Sequence, residues 1–200
     1  GSGRAMGHDL CDALPVLDRL EIAPRTSTVV QITQGDQSSL SRIYRKVGRR
    51  LGLEFRKHTD GRYRAGSNRE LLEGVRLSSQ WLGLQGDPAE PRWLACGHAG
   101  QVLVQHQPTL VQRCDDPEWL DRLVGERVLD LVVFTRTALP ASTHEAPWME
   151  LPLLRHPGGV DLIAVRADLV EQPVLKELIA TIRRHYRQHL QQHPNLEWLG

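Results

Sequence analysis

The sequence has 200 residues, 40% of them apolar, enough to bury one large core or two small ones and too many for wholesale disorder. No apolar run approaches the ~18 to 20 residues of a membrane-spanning helix and no basic-then-apolar leader opens the chain, so a cytoplasmic protein is expected. The net charge of +1 conceals an uneven distribution: between Gln37 and Ala65 nine basic residues stand against Glu54 and Asp60, a local +7 that leaves −6 for the remainder.

Such a field attracts a polyanion, because each neutralised phosphate releases condensed counterions. A solvated basic face with no partner is the competing reading. Gly1-Ser2-Gly3-Arg4-Ala5 reads as a cloning remnant ahead of a start at Met6. Cys11, Cys96 and Cys114 are odd in number and lack CxxC spacing, which points to buried reduced thiols rather than disulfides or zinc.

A first helix is expected over residues 9–22, with Leu14, Leu17 and Leu20 at helical spacing. Thr26 or Ser27 can cap a short second helix, and Gln34-Gly35-Asp36 supplies a tight turn. A third helix follows over Gln37–Leu51. It buries Leu40, Tyr44 or Ile43, Val47 and Leu51, and its other face carries Ser38, Ser39, Ser41, Arg42, Arg45, Lys46 and Arg49. Two helices joined by a Gly-containing turn let the second lie in a major groove, where short hydroxyls permit close approach and arginines reach guanine edges or phosphates. Leu53–Lys57 and Arg62–Ala65, joined through Asp60-Gly61, form a basic hairpin. Arg62, Tyr63 and Arg64 would act as a wing on phosphates or the minor groove.

Ser67-Asn68-Arg69-Glu70 has the form of a capping box and opens a fourth helix to about Gly83. Leu71, Val75, Ser78 and Leu82 make a narrow seam on it, suited to a second copy of the chain. A Gly- and Pro-rich stretch to Pro91 breaks the pattern. Strands and helices then alternate: Trp93–Cys96, a helix through His106, Thr109–Cys114, a helix burying Trp119, Leu120 and Leu123, Leu129–Phe134, Met149–Leu154, Val160–Val165, and a final helix over Val174–His193. A βαβαβ order implies a mainly parallel sheet.

The run Gln37-Ser38-Ser39-Leu40-Ser41-Arg42, continued by Leu51-Gly52-Leu53, Phe55-Arg56 and a wing, resembles the DNA-binding domain of LysR-type transcriptional regulators. Leu129-Asp130-Leu131-Val132-Val133 resembles a strand of that family's effector domain, and Val160–Arg166 with the last helix resembles its end. Asp36 stands where the family has serine, Gly48 departs from the usual glutamate, and the wing phenylalanine sits one residue early. The ~109 residues after Pro91 are about half the family's effector region, which implies one lobe and no hinged inducer cleft.

Taken together, an α/β chain is expected. It comprises a winged helix-turn-helix over residues 6–66, a linker helix and linker over 67–91, and a truncated three-layer effector-like domain over 92–200. The expected function is a bacterial, dimeric transcriptional regulator that reads duplex DNA. A winged-helix protein adaptor is the competing class, and a small α/β enzyme is the least supported because no catalytic set is present.

Strand ends of open sheets bind ligands, which makes Gly97, His98, Thr135 and Arg136 candidates for an effector site, with Ala99, Gly100 and Thr137 beside them. His185, His189 and His193 share one helix face, but Pro194 and the flanking Arg183, Arg184 and Arg187 favour a solvated or partner-facing stripe over a metal site. His144 and Glu145 have no nucleophile or second carboxylate placed beside them, and phosphate-binding glycine motifs are absent. No cofactor or metal is expected.

Overall fold

The computed structural model describes residues 18, 42, 45–46, 48–57, 63–104, 110–112, 117–138 and 147–200. They belong to two compact units, Gly1–Ser79 and Gln80–Gly200.

In the first unit Arg42, Arg45, Lys46 and residues 48–51 are helical, within the range expected for the third helix. Asp18 is helical as well; the expected second helix and the turn at Gln34–Asp36 lie outside the described residues. The basic helix stops at Gly52, whose φ of 62° is the left-handed conformation that closes a helix. The Leu53 amide returns to the Gly48 carbonyl at 2.7 Å and the Gly52 amide to the Arg49 carbonyl at 3.4 Å, the paired bonds of a Schellman cap. A Cβ at Gly52 would lie 2.5 Å from the side-chain nitrogen of Asn68, so both backbone and space demand glycine.

Strands β1 (Phe55–Lys57) and β2 (Tyr63–Ala65) pair antiparallel, with Arg56 opposite Arg64. Helix α1 (Arg69–Gln85) starts where the Asn68 carbonyl accepts the Leu72 amide at 3.2 Å. The Ser67 hydroxyl does not cap it. That hydroxyl accepts the Glu54 amide at 3.0 Å and donates to the Gly52 carbonyl at 2.8 Å, while Asn68 donates to the Leu51 carbonyl at 2.8 Å. These bonds tie the start of α1 to the end of the basic helix. On its inner face α1 buries Leu72 and Arg76, and the Arg76 guanidinium donates to Asp18 at 2.8 Å with both side chains enclosed. Burying the two opposite charges together offsets part of the desolvation that each bears. On the outer face Leu71, Ser78 and Leu82 are exposed and Val75 is half-buried.

The second unit is built on a sheet of order β4-β3-β5-β7-β6-β8, formed by β3 (Trp93–Cys96), β4 (Leu110–Gln112), β5 (Leu131–Arg136), β6 (Trp148–His156), β7 (Gly159–Arg166) and β8 (Glu197–Trp198). Strand β3 runs parallel to β4 and β5, whereas β5 with β7, β7 with β6 and β6 with β8 are antiparallel. The expectation of a mainly parallel sheet is thereby corrected to a mixed one. Parallel neighbours need a crossover of about a dozen residues or more, and only Pro157 and Gly158 separate β6 from β7. Gly159, at φ 136°, lets β7 pass close to β5, since a Cβ there would sit 2.1 Å from the Arg136 carbonyl oxygen.

Alternation along the strands sends side chains to both faces, and both are buried. Trp93, Ala95, Leu131, Val133, Ile163 and Val165 join one core with Ala99 and Leu103, from α2 (His98–Val102) and just beyond it, and with Leu175, Ile179, Ile182 and Tyr186 of α4 (Pro173–Gln192). Their neighbours Leu94, Val132, Phe134, Leu162 and Ala164 are buried on the opposite side, and α3 (Pro117–Gly125), with Leu120, Leu123 and Val124 buried, packs on β5, β6 and β7. The sheet is therefore covered on both sides. Asp130, just before β5, accepts from Gln80 at 2.8 Å and from the Arg92 amide at 2.6 Å.

Candidate functional site

The candidate nucleic-acid face lies in the first unit. Arg42, Arg45, Lys46, Arg49 and Arg50 are helical and exposed, and Arg56 and Lys57 are exposed on β1. Arg45, Arg49 and Arg56 line a concavity of about 580 Å³ between the helix end and the hairpin, with Glu54 as its acidic member. Arg64 is half-buried on β2, and Tyr63 is in the same strand. Thr26, Ser27, Gln37, Ser38, Ser39, Ser41 and Arg62 lie outside the described residues. What the described part provides is a capped helix with its cations on the outside and a short antiparallel pair fastened to its end through Ser67 and Asn68. Cations held on a rigid helix suit recognition of a fixed array of phosphates.

The second unit contains a polar cluster at the end of β3 and β5. Asp161, in β7 and fully buried, receives four donors. His98 Nδ1 is 2.5 Å from its Oδ2 and the Tyr186 hydroxyl donates to the same oxygen at 2.8 Å. His156 Nε2 is 2.7 Å from Oδ1, to which the Thr135 hydroxyl donates at 2.6 Å. Burial pushes the Asp161 carboxyl up, but hydrogen bonds from His98, Thr135 and Tyr186 outweigh it and hold it below the ordinary carboxylate range. An ionised carboxylate only accepts, so both imidazole nitrogens facing it carry protons. For His156 this agrees with the Gly158 amide, which donates to Nδ1 at 3.1 Å.

The rings of His98 and His156 stack with centroids 4.1 Å apart, and His189 meets His98 edge-on at 5.5 Å with His193 a further 4.4 Å away. Burial and the neighbouring His193 and His98 hold His189 below the ordinary histidine value, against an upward pull from Asp161. Burial drives the Tyr186 hydroxyl well above its ordinary value, and the Asp161 charge adds to the effect.

Of the four sequence-derived effector residues, His98 and Thr135 meet on Asp161, and Gly97 lies exposed just before His98 with φ 59°. Arg136 is engaged elsewhere: it pairs with Asp121 at 2.6 Å and with Glu150, over the Phe134 ring. Sequence reasoning missed Asp161, His156 and Tyr186 as a group, because they come from separate elements with no local motif. The available signal was one aspartate inside the apolar run Val160–Val165. The histidine stripe of the last helix is also divided: His189 and His193 reach the cluster, whereas His185 Nδ1 lies 3.4 Å from Gln188 Oε1.

The sequence matches no protein-family model and no curated protein. Among solved structures the chain is similar to full-length OxyR from Pseudomonas aeruginosa, with 16% identity over 74% of this chain and 57% of that one at a TM-score of 0.41. It is similar to a LysR family transcriptional regulator at 11% identity over 74% of this chain and 61% of that one, TM-score 0.34. A third is ArgP from Mycobacterium tuberculosis, at 17% identity over 70% and 51%, TM-score 0.33. The chain thus spans between about half and three-fifths of the length of these proteins.

Proposed function

We propose that this chain is a DNA-binding transcriptional regulator that presents the helix of Arg42, Arg45, Lys46 and Arg49 to the major groove of duplex DNA and the β1–β2 hairpin to the adjacent backbone. The observation that carries this reading is the exposure of five helical cations in one short stretch, next to a basic antiparallel pair. Thr26, Ser27, Gln37, Ser38, Ser39 and Ser41 would approach bases and phosphates from the helix starts, and Arg62, Tyr63 and Arg64 would serve the wing.

The functional form is a homodimer joined through the outer seam of α1. Leu71 and Leu82 remain 47% and 73% exposed, an apolar pair that a second copy would cover. Two copies double the contact length and read two half-sites, which favours this occupant over another protein.

Fluorescence anisotropy with random and selected duplexes at two salt concentrations tests the reading. Affinity should fall steeply with salt, and Arg42→Ala, Arg45→Ala and Arg49→Ala should each reduce the salt slope by about one. Absence of binding at either salt concentration would favour an adaptor that pairs its basic face with an acidic protein.

A further inference from the structure

The polar cluster of the second unit is not used by the DNA reading, and its chemistry goes beyond a structural hydrogen-bond network. His98 Nδ1, His156 Nε2 and a carboxylate oxygen of Asp161 lie within 4.8 Å of one another, brought together from the start of α2, the end of β6 and the start of β7. Three ligand atoms of two imidazoles and one carboxylate, this close and facing one another, match the donor set of zinc-class ions. Oxygen-seeking calcium or magnesium would need more carboxylate and carbonyl ligands than converge here among the described residues.

We propose that the second unit binds one divalent transition-metal ion, with Zn²⁺ as the representative, through His98, His156 and Asp161. The surroundings resemble a prepared outer layer. Thr135 and Tyr186 each donate to one oxygen of Asp161 and fix the carboxylate plane, the kind of support that ligating carboxylates receive in metal sites. Side-chain exposure is 24% at His98 and 9% at His156, so an ion has a route in from solvent while Asp161 stays enclosed. Three protein ligands leave one tetrahedral position, to be filled by water or by His189, whose ring already touches that of His98.

The proton bookkeeping is specific. Each imidazole presents N–H to Asp161 without metal, so when an ion takes that place each ring must carry its proton on the other nitrogen, Nε2 at His98 and Nδ1 at His156. At His156 the proton moves from Nε2 to Nδ1, where the Gly158 amide now donates, and that exposed amide must turn to solvent. The loss of one ordinary hydrogen bond is small beside the strength of a nitrogen–metal bond, and it makes the Gly158 amide a reporter of binding.

The experiment uses the full chain, stripped with a chelator and titrated with ZnCl₂ by calorimetry, with CoCl₂ titrated in parallel and followed by visible absorption. One ion per chain is expected, with the intense cobalt bands of tetrahedral nitrogen and oxygen ligation. His98→Ala and His156→Ala should each weaken binding at least ~10-fold, Tyr186→Phe about 10-fold with unchanged stoichiometry, and His185→Ala should leave it unaltered. In ¹⁵N spectra of the wild type, which depend on no variant's folding, the Gly158 amide should shift on saturation. A wild type that takes up no stoichiometric ion, or an ion lost equally through His185→Ala and His98→Ala, overturns the proposal in favour of a purely hydrogen-bonded cluster. Neither result bears on DNA binding, which is read separately.

Discussion

The Tyr186 hydroxyl of α4 donates a 2.8 Å hydrogen bond to Asp161 of β7, and neither residue has any exposed surface. This bond pins the long final helix to the sheet. Its acceptor is a charge, so it belongs to the stronger class of hydrogen bonds. Tyr186→Phe should therefore destabilise the second unit by about 1.5–3 kcal/mol. Asp161→Ala leaves two imidazoles and two hydroxyls without their common acceptor and should cost more, about 3–5 kcal/mol. Urea unfolding followed by tryptophan fluorescence ranks the two; equal losses would mean that the carboxylate is not the hub.

Acid sensitivity should come in part from Asp168. Burial raises its carboxyl, but Arg166 and Arg127, bonded at 2.9 and 2.6 Å, outweigh this and hold it below the ordinary value of 3.8. A carboxyl lowered by folding contributes stability that is complete above the unfolded value and is lost as pH falls through the folded one. Because the side chain is 44% exposed, solvent screening limits the contribution to below about 1 kcal/mol. Asp168→Asn should be less stable than wild type by that amount at neutral pH, and the two urea midpoints should converge as pH falls through the lowered Asp168 value.

Gly52→Ala tests the fastening of helix to hairpin. The new methyl meets a left-handed backbone and the side chain of Asn68, a strain of about 1–3 kcal/mol. Thermal unfolding should drop accordingly and DNA affinity should fall with it, although position 52 carries no charge. Unchanged affinity would separate the wing from recognition.

Leu82→Glu probes the outer seam of α1. A residue this exposed tolerates substitution within about 0.5 kcal/mol in an isolated chain, so any larger effect reports a partner. Sedimentation equilibrium should show the wild type as a dimer and the variant as a monomer, with a matching loss of affinity for a two-half-site duplex.

Long, periodic elements were legible in the sequence. Trp93–Cys96 is a buried strand with the expected bounds, and the last helix, expected over Val174–His193, runs Pro173–Gln192 with Leu175, Ile179, Ile182 and Tyr186 inward. Apolar spacing reports burial directly in such segments. Strand direction was not legible from a βαβ rhythm alone, although the brevity of His156–Gly159 already demanded a hairpin. Strand β8 has two residues and no period to read; it exists because Leu154 and Arg155 pair with it. The Asp161 cluster joins residues 63 and 25 positions apart, and no local pattern encodes such a meeting.

Strand β6 is longer than its neighbour β8, which covers it only at Leu154 and Arg155. Among the described residues, its first half therefore presents an unextended border on that side. Pro152, in that half, has no amide hydrogen to offer, and the register against β7 slips between Pro152 and Leu154. Proline and irregular pairing both discourage a foreign ribbon from zipping onto an open border. The protein should thus stay dispersed when concentrated, and replacing that one imino acid with valine would remove the guard against sheet-to-sheet clumping.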